Sequence, residues 1–74
     1  MQISEEKLGM NIRAAREGRG MSMEELARRI DKSVQDVEKM EAGKKRVTLV
    51  TAITICGALK IPYNDLFDGI AIQE

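Results

Sequence analysis

Four turn signals cut this chain into pieces too short to bury their own apolar sides, and that segmentation limits the architecture more than any other feature. The breaks are Gly18-Arg19-Gly20, Asp31-Lys32-Ser33, Ala42-Gly43-Lys44-Lys45-Arg46 and Lys60-Ile61-Pro62. Glycine ends helices readily, and proline does not continue them. The pieces must therefore share one core. A chain of 74 residues has room for one domain. A domain of that size buries only roughly 60% of its unfolded surface, so it needs efficient packing or a partner.

Read in order, the pieces carry helical signals. Ser4 is a candidate N-cap, with Glu5 and Glu6 suited to the positive end of a helix. Leu8, Ile12, Ala15 and Arg16 then recur at helical spacing until Gly18 and Gly20. Ser22-Met23-Glu24-Glu25 reads as a capping box, in which the serine hydroxyl accepts from the Glu25 amide and the Glu25 side chain bonds back to the serine amide. Leu26, Ala27 and Ile30 form the apolar face of that second piece. Ser33 is another N-cap, with Asp36 three residues on. The third piece points Val37 and Met40 inward with Glu41 close to them. It turns Gln35, Glu38, Lys39 and Ala42 outward, and Gly43 is a natural residue to follow its end.

The fourth piece, Thr48 to Leu59, is the ambiguous one. Val50, Thr51, Ile53, Thr54 and Ile55 are β-branched and suit a strand. Against that, Leu49, Ala52, Ile53, Cys56 and Leu59 or Lys60 fit a helical face, and the run is long for a strand; the pattern favours a helix. A short helical turn over Asn64 to Asp68 closes the core with Leu66 and Phe67. Two short helices joined by a three-residue turn, set among other helices, make the outline of a helix-turn-helix.

Composition removes whole classes of function. The chain has one cysteine, Cys56, and no histidine, so neither an internal disulfide nor a zinc cluster is expected. No apolar run approaches the ~18–20 residues of a membrane span, and the acidic, polar start does not resemble a signal peptide. The expectation is a cytoplasmic protein with no membrane, cofactor or small-molecule ligand. No nucleophile sits beside a base and no glycine-rich phosphate loop is present, so an enzyme is not expected. The formal net charge is zero, yet it is unevenly spread. From Arg28 to Arg46 there are seven Lys/Arg against four Asp/Glu, whereas from Ile61 onward there are three acids and no base.

Several stretches now resemble a known family. Ile12-Arg13-Ala14-Ala15-Arg16 and Gly20 through Ala27 are similar to the first two helices of the phage repressor and Cro-type helix-turn-helix family. The likeness continues through Val37-Glu38-Lys39-Met40-Glu41-Ala42-Gly43-Lys44 and closes with Ala58 to Phe67, covering roughly Leu8 to Phe67. It implies an all-α, compact five-helix bundle over residues 8–68, with the helix-turn-helix at about 23–42 and short extensions at 1–7 and 69–74. It also resolves the fourth piece as a helix. Four positions depart from the family pattern: Met23 replaces a glutamine, Asp31 a turn glycine, Asp36 a Ser or Thr, and Val47 a proline. Asp tolerates the left-handed conformation better than most residues, at some cost.

The resemblance implies double-stranded DNA as the partner, a homodimer, and a recognition helix at about 34–42 in the major groove. Gln35 is the first candidate to read a base, since glutamine bonds bidentately to adenine N6 and N7. Val34 can touch a thymine methyl or pack on the second helix. Lys39 shares the face of Gln35 and can reach a guanine or a phosphate, or remain solvated. Lys44, Lys45 and Arg46 can neutralise phosphates at the groove edge. Lys32 and Ser33, at the start of the third helix, are weaker candidates, where backbone amides can also hold a phosphate. Arg16 and Glu41 resemble a partly buried ion pair of structural purpose, and Cys56 an inert core thiol. Met10, Met21, Met23 and Met40 read mainly as core filler, although Met23 falls at a position usually polar and exposed. Ile70, Ala71 and Ile72 are either a frayed tail or part of a dimer contact. A second function class stays open: an interaction module of the same fold that no longer binds DNA, suggested by Met23, Asp36, Glu38 and the neutral charge.

Overall fold

In a computed structural model, residues 5–70 are described, and they form five helices with no strand among them. The order is α1 Glu5–Gly18, α2 Met23–Arg29, α3 Val34–Glu41, α4 Leu49–Leu59 and α5 Tyr63–Leu66. The expected cap at Ser4 and the tail residues Ala71 and Ile72 lie outside the described residues.

Local chemistry sets most of the boundaries. Ser22 Oγ accepts from the Glu25 amide at 3.1 Å, Ser33 Oγ from the Asp36 amide at 3.1 Å, and Thr48 Oγ1 from the Thr51 amide at 3.2 Å. Each bond satisfies a donor that the helix start leaves open, worth about 1 kcal/mol. The return half of the expected Ser22 capping box differs, because the Glu25 carboxylate turns along the helix to Arg29 at 2.7 Å. The ends of α1, α2 and α3 share one device, a residue at positive φ with two backward amide bonds. After α2 that residue is Asp31, at φ 58°, with its amide on Arg28 O at 3.3 Å and the Lys32 amide on Ala27 O at 2.9 Å. This is a Schellman motif, and it makes the turn of the α2–α3 pair with a side chain present in the left-handed region.

The core gathers Leu8 and Ile12 of α1, Leu26, Ala27 and Ile30 at α2, and Val37 and Met40 of α3 with Ala52, Ile55, Cys56 and Leu59 of α4 and Leu66 of α5. Fully burying one such aliphatic side chain contributes about 1.5–3 kcal/mol. Helix α1 packs on α3, α4 and α5, and α2 packs on α3 and α4. Gly9 permits the closest approach: a Cβ there would meet the backbone carbonyls of Met40 and Glu41, the latter at 2.6 Å. Asn11 joins α1 to the last helix by donating from Nδ2 to the carbonyls of Leu66 and Asp68, both at 2.9 Å.

Helix α4 is a helix despite its β-branched composition, and its buried face keeps the expected Ala52, Cys56 and Leu59 but is rotated to take in Ile55 in place of Leu49 and Ile53. Ala52, Ile55, Cys56 and Leu59 face the core, whereas Leu49 and Ile53 are 61% and 56% exposed. The segment is apolar on nearly every side, so periodicity fixes its rotation only loosely, and packing against α2, α1 and α5 sets it. Thr54 fits the helix by donating its hydroxyl to Val50 O at 2.9 Å.

Candidate nucleic-acid interface

Three supports fix the orientation of α3. Val37 and Met40 are buried against the core. The Arg16 guanidinium grips the Glu41 carboxylate with a two-pronged fork, Nε to Oε2 at 2.7 Å and Nη2 to Oε1 at 3.1 Å. A further bond from Arg16 Nη1 to Met21 O at 2.9 Å ties the fork to the loop before α2. Both residues are more than nine-tenths buried. The hydrogen bond to Glu41 holds the arginine above its ordinary value, outweighing the desolvation that pulls the other way. This is the structural pair that the resemblance implied, and it sets the helix in place more than it adds net stability.

The opposite face of α3 is turned to solvent. Gln35, Glu38, Lys39 and Ala42 are exposed along it, and Lys32 and Ser33 are exposed just before it. The Ser33 hydroxyl is occupied as the N-cap, so a phosphate at this helix start would meet backbone amides and the neighbouring Lys32. Val34 is half-buried and packs against the core, which leaves part of its side chain at the surface. Lys44, Lys45 and Arg46 are all exposed in the loop after α3. Gly43, at φ 74°, starts that loop and lies against α1, since a Cβ there would sit 2.9 Å from the Glu6 Cα.

One relation within this surface was not legible in the sequence. Lys45 Nζ lies 3.4 Å from Asp36 Oδ1, linking the loop back to the first turn of α3. Desolvation pushes the Asp36 carboxyl up, but the Lys45 ammonium and the Ser33 donors outweigh it, and the group lies below its ordinary value. No periodicity joins positions nine apart across a turn; only the path of the loop does. Lys39, Lys44 and Arg46 have no side-chain partner among the described residues. Met23 is half-buried and packs against the core, so this departure from the family pattern is a packing substitution rather than an exposed apolar spot.

Two short helices joined through Asp31, with the second presenting a polar face beside a basic loop, are the geometry of a helix-turn-helix. Residues 12–66 match the helix-turn-helix family. The chain belongs to the phage repressor and Cro-type helix-turn-helix family. A relative from Rhodospirillum rubrum, named an uncharacterized transcriptional regulator in the ATPase CF(0) region, is 32% identical over 63 residues. That match covers 85% of this chain and 58% of the relative, so the chain spans little more than half the length of that protein. The restriction-modification controller protein C.AhdI of Aeromonas hydrophila superposes with a TM-score of 0.81 at 32% identity, covering 85% of this chain and 96% of that one. The clp gene regulator ClgR of Corynebacterium glutamicum superposes with a TM-score of 0.84 at 27% identity, covering 90% and 87%. These relatives are named as regulators and controllers, not as enzymes.

Proposed function

We propose that this helix-turn-helix domain, spanning residues 8–68, binds double-stranded DNA as a bacterial or phage transcription regulator, with α3 in the major groove. The observation that carries the reading is the division of α3 into two faces. Val37, Met40 and Glu41 are locked inward, while Gln35 and Lys39 are left exposed beside Lys44, Lys45 and Arg46. Gln35 is the base-reading residue, with Val34 and Lys39 as its neighbours on the groove floor. Lys32, Ser33 and the basic loop hold phosphates on either side. Met23 and Asp36, which suggested a module without DNA binding, have internal roles in packing and in pairing with Lys45. No described helix is long and apolar enough to cross a membrane.

The protein acts as a homodimer on two half-sites about one helical turn apart, ~34–36 Å, in this reading. Leu49, Val50 and Ile53, exposed together on α4, offer apolar area for such a contact. Ile70, the described part of the expected tail contact, packs against its own core instead of standing free. Selection from a random duplex pool, followed by affinity measurements over a range of salt, tests the function. A single motif should be enriched. Replacing Lys44, Lys45 and Arg46 by glutamine should weaken binding to all sequences and flatten the log–log salt slope by up to ~0.9 per lost phosphate contact. A folded protein that enriches no motif at low salt would defeat the proposal.

A further inference from the structure

Resting on the DNA reading above, we infer that Asp36 is a specificity-determining residue: it keeps Lys45 from backbone phosphate in unselected registers and accepts only an amino-bearing base edge. Asp36 is the third residue of α3, next to Gln35, within the first turn from which recognition helices reach base edges. Its side chain is about one-third exposed and pairs with the Lys45 ammonium through Oδ1, while its backbone amide donates to the Ser33 cap.

A carboxylate only accepts hydrogen bonds. In the major groove cytosine N4 and adenine N6 donate, whereas guanine and thymine present acceptor atoms and a methyl group. Asp36 therefore gains a bond opposite cytosine or adenine and is repelled opposite guanine, thymine or a phosphate. Lys45 follows the same choice. Where no amino group is offered, the ammonium stays on Asp36 and leaves its phosphate bare. Where an amino group bonds the carboxylate, it draws on the same acceptor charge and weakens the pair, so a nearby phosphate competes more readily for Lys45. Base reading and phosphate contact are thus coupled through one ion pair. An exposed pair of this kind shifts an equilibrium by no more than about fivefold, so a duplex can displace it.

The test compares the parent with Asp36→Ala, Asp36→Asn, Lys45→Met, the double variant of the last two and Asp65→Asn, a substitution with the same charge change on α5, outside the helix-turn-helix. Circular dichroism melts check that each is folded. For Asp36→Asn, affinity for random duplex should rise by up to about fivefold. Its salt slope there should steepen by ~0.9. In an Asp36→Ala protein, which offers a base neither a carboxylate nor an amide, the selected motif should lose its cytosine-or-adenine preference at one position. Lys45→Met should cost more affinity for random duplex in the Asp36→Asn background than in the parent. If the Asp36→Asn protein does not fold, Lys45→Met alone decides. It should lose affinity and salt slope on the selected site and little on random duplex. Equal gains from Asp36→Asn and Asp65→Asn, or an unchanged motif with Asp36→Ala, overturn the inference while leaving DNA binding intact. Absence of duplex binding by every folded variant overturns the DNA reading and this inference together.

Discussion

Helices α3 and α4 lie in the same small bundle and are held by different physics. Helix α3 has a polar outer face and is fixed by directional bonds, a serine cap and the Arg16 fork on Glu41, together with the close backbone approach at Gly9. Helix α4 carries no charged residue and is held mainly by burial of Ala52, Ile55, Cys56 and Leu59. Burial is non-directional, so it tells a helix how much to bury but hardly which way to turn. Ion pairs and caps fix rotation, and the proposed presentation of Gln35 to a base needs that rotation fixed.

The comparison breaks first at the fork. Substituting Arg16 by leucine should leave the Glu41 carboxylate buried without its partner, and Glu41→Gln should weaken the grip from the other side. Removing one member of a buried pair costs about 3–5 kcal/mol. Chemical denaturation should therefore show Arg16→Leu as severely destabilised, to the point of partial unfolding in so small a domain. A loss below 1 kcal/mol would mean that packing alone orients α3.

Helix α4 sharpens the contrast through a matched pair of substitutions. Ile55→Ala should cost about 2–5 kcal/mol, as a truncation in a filled core does. Ile53→Ala, two residues away and of identical chemistry, should stay within about 0.5 kcal/mol in a monomeric sample. If the two costs were reversed, the helix would be turned to the face that Leu49 and Ile53 define. The same pair bears on the proposed dimer, since Ile53→Ala should weaken self-association measured by ultracentrifugation if α4 carries the contact.

The smallest effect belongs to the turn that joins α2 to α3. Asp31 holds a left-handed conformation at φ 58°, which costs a residue with a Cβ about 1–2 kcal/mol. Asp31→Gly should recover roughly 1 kcal/mol or less, because glycine also gains freedom in the unfolded chain. A thermal melt of the variant reads it directly, and a fall in stability would show that the Asp31 side chain contributes more than its strain.

Much of this fold was written in local signals. Ser22 and Ser33 mark helix starts, Gly20 and Gly43 mark helix ends, and the alternation in α3 of Val37 and Met40 with Gln35 and Lys39 separates its faces. Such signals are legible because capping, left-handed turns and helical periodicity act over a few residues. The family resemblance added the five-helix bundle, the helical reading of α4 and the Arg16–Glu41 pair. The rotation of α4 was decided only by tertiary structure, since a segment apolar on nearly every side has its face fixed only loosely until neighbours surround it. Likewise, the Gly9 contact and the Asp36–Lys45 pair arise between residues whose separation follows from how helices cross and loops return. Those long-range juxtapositions depend on the summed packing of the whole bundle, and no short window of sequence contains them.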